Sequence, residues 1–315
     1  MLAKRSPGTS AVQKRPFSQK LRDQRYLLAM SLPFLIWALV FRYLPILGWV
    51  TAFQNYKPGR SFWEMEWVGL RQFKVLFQDP LFYTSLRNTL AMGLLSVFFS
   101  FVCSIALALL INELRCRKFK RVVQTVSYLP HFVSWIIVAS LFSNLLGLSG
   151  IVNELLVKLG ILEEPVLFLS KGKLFWGIIT TADVWKETGW NSIIFLAAIT
   201  GIDQQLYESA VVDGAGRWKQ ILHITLPGIR PVAMTVLIMN IGWIISMGFE
   251  RQYLMGNDMV REYAYVIDMY ALNYGIGMAR YSLGTAVGIF KSVVSVILFL
   301  FAKLLLGRKS ESDTV

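Results

Sequence analysis

Six long apolar runs, cut apart by short charged segments, limit what this chain can fold into more than any other feature. They cover roughly residues 29–53, 89–111, 122–146, 174–199, 231–249 and 286–306. Each reaches about the 20 residues that a helix rising ~1.5 Å per residue needs to cross ~30 Å of hydrocarbon. No water reaches a backbone there, so every amide must be satisfied within its own segment, and the runs predict helices. An amphipathic soluble helix carries a polar stripe, and most of these runs have none. Only 16% of the residues are charged, against about 25% in a soluble domain. The fold class is an all-α integral membrane protein with six transmembrane helices. The fourth run is the least regular, because Asp183, Lys186 and Glu187 interrupt it.

Charge sets the orientation. With the amino terminus inside, the inner segments carry 17 Lys and Arg against 7 Asp and Glu, and the outer segments 11 against 10. Basic residues stay on the cytoplasmic side during insertion, so both termini are expected in the cytoplasm. The net charge of +13 then reflects topology. Nucleic acid is not an expected partner, since no soluble segment shows a basic face interleaved with aromatics. Residues 1–25 form a basic tail, 26–315 the transmembrane domain, and 201–230 a cytoplasmic loop within it. The first run is too long for a signal-peptide core and lacks a small-x-small cleavage site after Tyr43, so it reads as a retained anchor. Trp63 and Trp67 suit an outer interfacial belt. Gly284 and Gly288 form a G-x-x-x-G, a spacing that lets helices approach closely. Cys103 and Cys116 have neither metal-ligand spacing nor a disulfide rationale.

The loop holds the densest pattern: YESAVVDGAGRWKQILHITLPGIRP, from Tyr207 to Pro231. Residues 204–212 predict about two helical turns, stopped at Asp213 and Gly214 with the glycine as a left-handed cap. Residues 215–224 predict a second, basic amphipathic helix, ended by Pro227 and Pro231. Glu208, Ser209 and Ala210, then Gly214, Ile224, Leu226 and Pro227, keep the spacing of the EAA loop of ABC-importer permeases, with Ser209 where that pattern prefers Ala. The stretches LPFLIWALVFRYLPILGWVTAFQNY, RNTL, LPHFVSW and YSLGTAVGIFKSVV extend the likeness over most of the chain from about Leu28. The chain resembles the type I, binding-protein-dependent carbohydrate permeases that take up oligosaccharides or polysaccharide fragments, alginate-type chains among them.

That resemblance implies a multi-pass subunit of the bacterial cytoplasmic membrane. Its partners would be an ABC ATPase dimer, a second permease (a different chain in most of the group), an extracytoplasmic solute-binding protein and the lipid bilayer. Glu208, Ser209, Ala210, Asp213, Gly214, Ala215 and Pro227 would couple to the ATPase. The chain has no G-x-x-x-x-G-K-[ST] and no catalytic constellation, since His131 and His223 stand apart without a nucleophile. It is not expected to be an enzyme or to bind a cofactor or metal itself; ATP and Mg would sit on the partner.

Ionisable residues inside a span cost at least ~2.5 kcal/mol at its centre, so they mark a wet cavity or a partner. Arg42, Asp183, Lys186, Glu187 and Lys291 qualify, with Asn191, Asn240, Trp243 and Met247 as further candidates for a sugar path. Pairing among Asp183, Lys186 and Glu187, and helix packing by the Asn side chains, are the structural alternatives. An excess of embedded cations would favour an acidic oligomer such as a uronate chain. The rival readings are a non-sugar cargo on the same architecture and an ion-coupled secondary carrier.

Overall fold

A computed structural model describes residues 24–246 and 248–311; the tail 1–23 and Met247 lie outside the described residues. The chain divides into two compact units, 1–50 and 51–315. The first contains most of helix α1 (Arg25–Phe53). No side chain of its stretch Arg25–Ala38 is buried. Apolar on every side, it suits a lipid or protein surround rather than water. A wide turn at Leu39–Tyr43 directly precedes Leu44 and Pro45. Proline has no N–H to donate, so a shift of hydrogen-bond register next to it leaves no amide stranded.

In the second unit, α2 (Arg71–Gln78) leads into α3 (Pro80–Glu113), where Asp79 caps the helix by accepting from the Leu81 amide at 2.9 Å. Then follow α4 (Arg117–Tyr128), α5 (Trp135–Leu146) and α6 (Ile151–Lys158). After these come α7 (Gly172–Thr200), α8 (Gln204–Val212), α9 (Arg217–Ser246), α10 (Glu250–Met255) and α11 (Tyr281–Glu311). Among the described residues, five helical segments are long and apolar enough to cross a membrane: α1, α3, Trp135–Lys158, α9 and α11. Helix α7, with 29 residues, has the length of a sixth, and its charged residues lower its apolarity. The expected third run, 122–146, falls on two helices. Pro130 sits in the turn Leu129–Phe132 between them, and the Ser134 hydroxyl restarts the chain as α5 by accepting from the Ile137 amide at 3.4 Å.

Helix α3 packs along α7, and α9 along α11. Between apolar helices in lipid the driving force is close packing and hydrogen bonding rather than exclusion of water. Glycine supplies the closeness at two points. A Cβ on Gly189 of α7 would stand 1.8 Å from the Ser127 carbonyl oxygen of α4. One on Gly284 of α11 would stand 2.9 Å from the Gly275 Cα. Gly288 faces open space, so the G-x-x-x-G works through Gly284 alone, against Gly275 in the wide helical turns Ala271–Gly277.

Polar side chains fasten the segment before α11 onto α3. The Asn88 amide donates to the carbonyls of Glu262 (2.8 Å) and Tyr265 (2.9 Å). The Thr89 hydroxyl accepts from the Ile267 amide at 2.9 Å. Tyr270 donates to Asp79 at 2.8 Å; burial, and then the carboxylate acceptor, push its phenol well above the usual range. It therefore stays a neutral donor.

Candidate coupling elbow and buried charge network

The segment 201–230 folds as an elbow. The Asp203 carboxylate caps α8 by accepting from the Gln205 amide at 3.0 Å. At the other end Ala215 N–H donates to Ala210 C=O at 2.8 Å and Gly214 N–H to Val211 C=O at 3.0 Å. Those two bonds close a left-handed helix stop, with Gly214 at φ +74°. Gln220 Nε2 donates to the Ala215 carbonyl at 2.9 Å and braces the turn. Tyr207 and Thr225 share a hydroxyl–hydroxyl bond of 2.9 Å that ties α8 to α9. Arg217 reaches Glu113 at the end of α3, 3.5 Å away.

The expected break at Pro227 and Pro231 does not occur. Helix α9 runs from Arg217 through both prolines, passing a wide turn at Ile221–Thr225 just before Leu226 and Pro227. The same device stands before Pro45 in α1. Pro227 falls in the first turn after the register change, where its missing donor costs little, and Pro231 is carried inside the helix. The amphipathic piece is thus the first turns of the fifth expected span, so a push on the elbow acts directly on that helix.

Glu208, Ser209, Asp213 and Gly214 are all exposed, and Ala210 and Ala215 are half-buried. Beside them Val212 is 86% exposed and Trp218 77% exposed, with Val211 also open. Large apolar side chains thus stand out of a small-residue turn into solvent.

The second constellation gathers around α7. Asp183 forms an ion pair with Arg251 of α10, both side chains almost wholly buried. Lys186 donates to the His131 carbonyl and lies 3.4 Å from the Glu187 carboxylate. Glu187 also meets His131 Nδ1 at 2.8 Å. The His131 ring stacks on Trp190 with centroids 4.5 Å apart. Trp135 lies beneath both cations, 5.7 Å from Lys186 Nζ and 5.9 Å from Arg251 Cζ. Pairing within the triad therefore covers Lys186 and Glu187 only. Asp183 takes Arg251 from outside the run, where α10 packs against α7, while Lys186 turns to the His131 carbonyl and Glu187. Arg251, His131, Trp135 and Trp190 were missed as site residues in the sequence reading. Arg251 lies just past the fifth run and reads there as an ordinary loop cation.

The other candidates are dispersed. Lys291 is paired with Asp268. Asn191 donates to the Ser100 hydroxyl at 3.3 Å, joining α7 to α3. Trp243, 66% exposed, lines a cavity of about 490 Å³ between α9 and α11 with Ser246, Ser292 and Ser295. Asn240 is half-buried outside that lining, and Arg42 is exposed on α1. Met247 lies outside the described residues.

The family model for binding-protein-dependent transport system inner membrane components matches residues 100–311. The polygalacturonan/rhamnogalacturonan transport system permease protein YteP of Bacillus subtilis is 44% identical over 293 residues, 93% of this chain and 91% of its own length. A chain from the crystal structure of a bacterial ABC transporter involved in import of the acidic polysaccharide alginate superposes with a TM-score of 0.84 at 40% identity. The match covers 92% of this chain and 98% of that one. A chain of the alginate transporter in complex with an alginate pentasaccharide-bound periplasmic protein gives the same TM-score at 39% identity, covering 93% and 98%.

Proposed function

This chain belongs to the binding-protein-dependent transport system inner membrane components, and from that premise we propose that it forms half of the translocation path of an ATP-driven oligosaccharide importer. It is a transport subunit and not an enzyme. ATP and Mg are handled by a separate ATPase dimer, a second and different permease completes the path, and an extracytoplasmic binding protein delivers the cargo. The observation that carries the reading is the elbow. Its glycine stop, its exposed Val212 and Trp218, and its fusion to the start of α9 make a rigid handle on a membrane-crossing helix.

An acidic sugar oligomer is the cargo that the named relatives favour, since polygalacturonan and alginate are both polyuronates. The embedded cations give that choice no independent support. Lys186 and Lys291 are each matched to a carboxylate, as is Arg251, so none of the three presents an unpaired charge to a passing anion.

Disulfide trapping tests the coupling. Ser209→Cys or Ala210→Cys, paired with a cysteine introduced on the ATPase and oxidised by copper phenanthroline, should yield a disulfide-linked product containing the ATPase, and vanadate should stop uptake. Uptake that persists in vanadate and collapses with a protonophore would make the chain an ion-coupled carrier instead. Calorimetry of the binding protein against uronate and neutral oligosaccharides separates acidic from neutral cargo.

A further inference from the structure

At the end of α11 opposite the elbow, a polar cavity of about 310 Å³ opens between the start of α2, the residues after Phe53 and the approach to α11. Lys57, Arg71 and Arg280 contribute to its lining, and no carboxylate does among the described residues. All three cations are exposed, and no ion pair engages them among the described residues. Arg280 is held instead over the Tyr274 ring, 5.8 Å from its centroid. Two acids stand behind the lining: Glu66 accepts from Asn55 at 3.5 Å, and Asp79 is hydrogen-bonded to Tyr274, the ring beneath Arg280. The first turns of two helices, α2 at Arg71 and α11 at Tyr281, also border the cavity and add partial positive charge.

The wall is fixed rather than loose. The Ser282 hydroxyl accepts from the Tyr56 amide at 2.9 Å and donates to the Gln54 carbonyl at 2.7 Å. Tyr56 meets Tyr281 edge to face at 5.9 Å. Ala279, which precedes Arg280, has φ +54°, the one non-glycine residue with positive φ among those described. A conformation that disfavours a Cβ is kept where it presents Arg280.

Depth identifies the occupant. Trp63 is 89% exposed and Trp67 64% exposed on the strip between Lys57 and α2, and Leu70 and Phe77 are open on either end of α2. Indole rings exposed to this degree, even where one face stacks on a neighbour as Trp67 does on Phe53, belong at the boundary between headgroups and acyl chains. A pocket of cations at that level faces phosphodiesters. We propose that Lys57, Arg71 and Arg280 bind the phosphate of an anionic phospholipid in the outer leaflet, with Trp63 and Trp67 flanking its acyl chains. This site is independent of the transport reading.

The test is native mass spectrometry of the full chain released from nanodiscs of phosphatidylcholine with a minor share of phosphatidylglycerol. The wild type should retain phosphatidylglycerol preferentially. Lys57→Gln/Arg71→Gln/Arg280→Gln should lower that retention at least about fivefold, the factor one basic residue supplies near an anionic surface. Arg60→Gln/Lys74→Gln, which removes two nearby cations outside the cavity, should not. Equal retention in all three proteins, or no preference over phosphatidylcholine, overturns the proposal. If the triple variant does not fold, thermal stabilisation of the wild type and of Arg280→Gln decides. Short-chain phosphatidylglycerol should stabilise the wild type more than the variant. Equal stabilisation of the wild type by inorganic phosphate would assign the pocket to a soluble anion and overturn it. So would lost binding-protein affinity in the variant with unchanged lipid retention.

Discussion

At the residue scale, two contacts dominate because neither can relax. Gly189 sits where α7 touches the α4 backbone, and an added methyl group would collide with a carbonyl rather than with a movable side chain. Gly189→Ala should destabilise the protein by about 1–3 kcal/mol or more, seen as a lower melting temperature in detergent. A wild-type melting curve would refute the close approach. The Asp183–Arg251 pair is buried on both sides. Removing one member of such a pair leaves an uncompensated charge and costs about 3–5 kcal/mol, whereas removing both costs less than the sum. Asp183→Asn and Arg251→Gln should therefore each lower stability sharply, and the double variant should recover part of the loss. Additive losses would show that the two side chains do not act as a pair.

At the scale of elements, the elbow and α9 form one lever. Two wide turns, at Leu39–Tyr43 and at Ile221–Thr225, each stand just ahead of a proline and let a long helix pass it. The helix therefore continues across Pro227 instead of breaking there. Gly214 has open space around a built Cβ, so its requirement is conformational, at φ +74°. Asn and Asp tolerate this region better than other residues. Gly214→Asn should insert and transport. Gly214→Asp should insert and melt near the wild-type temperature, yet lose uptake, because its charge lands beside Val212 on the docking face. Normal uptake by Gly214→Asp would argue against that face meeting another protein.

At the scale of the whole molecule, the charge asymmetry of the sequence predicts a cytoplasmic elbow. The two cysteines make that checkable. Cys116 is exposed between α3 and α4, and Cys103 is half-buried within α3. A membrane-impermeant maleimide should label Cys116 in inverted vesicles and not in intact cells. Labelling from outside would invert the topology and remove the elbow from reach of any cytoplasmic ATPase.

The sequence alone determined the membrane class, the positions of the apolar runs and the elbow with its glycine stop. Hydropathy, charge asymmetry and helix-stop chemistry are local or additive properties that a linear reading can sum. Partner choice across the fold is not. Asn88 meets the Tyr265 carbonyl across 177 residues, and Asp183 prefers Arg251 to the lysine one turn away. Proline reads as a stop in one dimension, yet α9 carries Pro227 just after a register shift and Pro231 within the helix. Lys186 and Lys291, which looked like a lure for acidic cargo, are paired in the fold, while three cations that looked like loop residues share a pocket. Tertiary structure decided these points, because a buried charge or polar group takes whatever partner packing brings within reach.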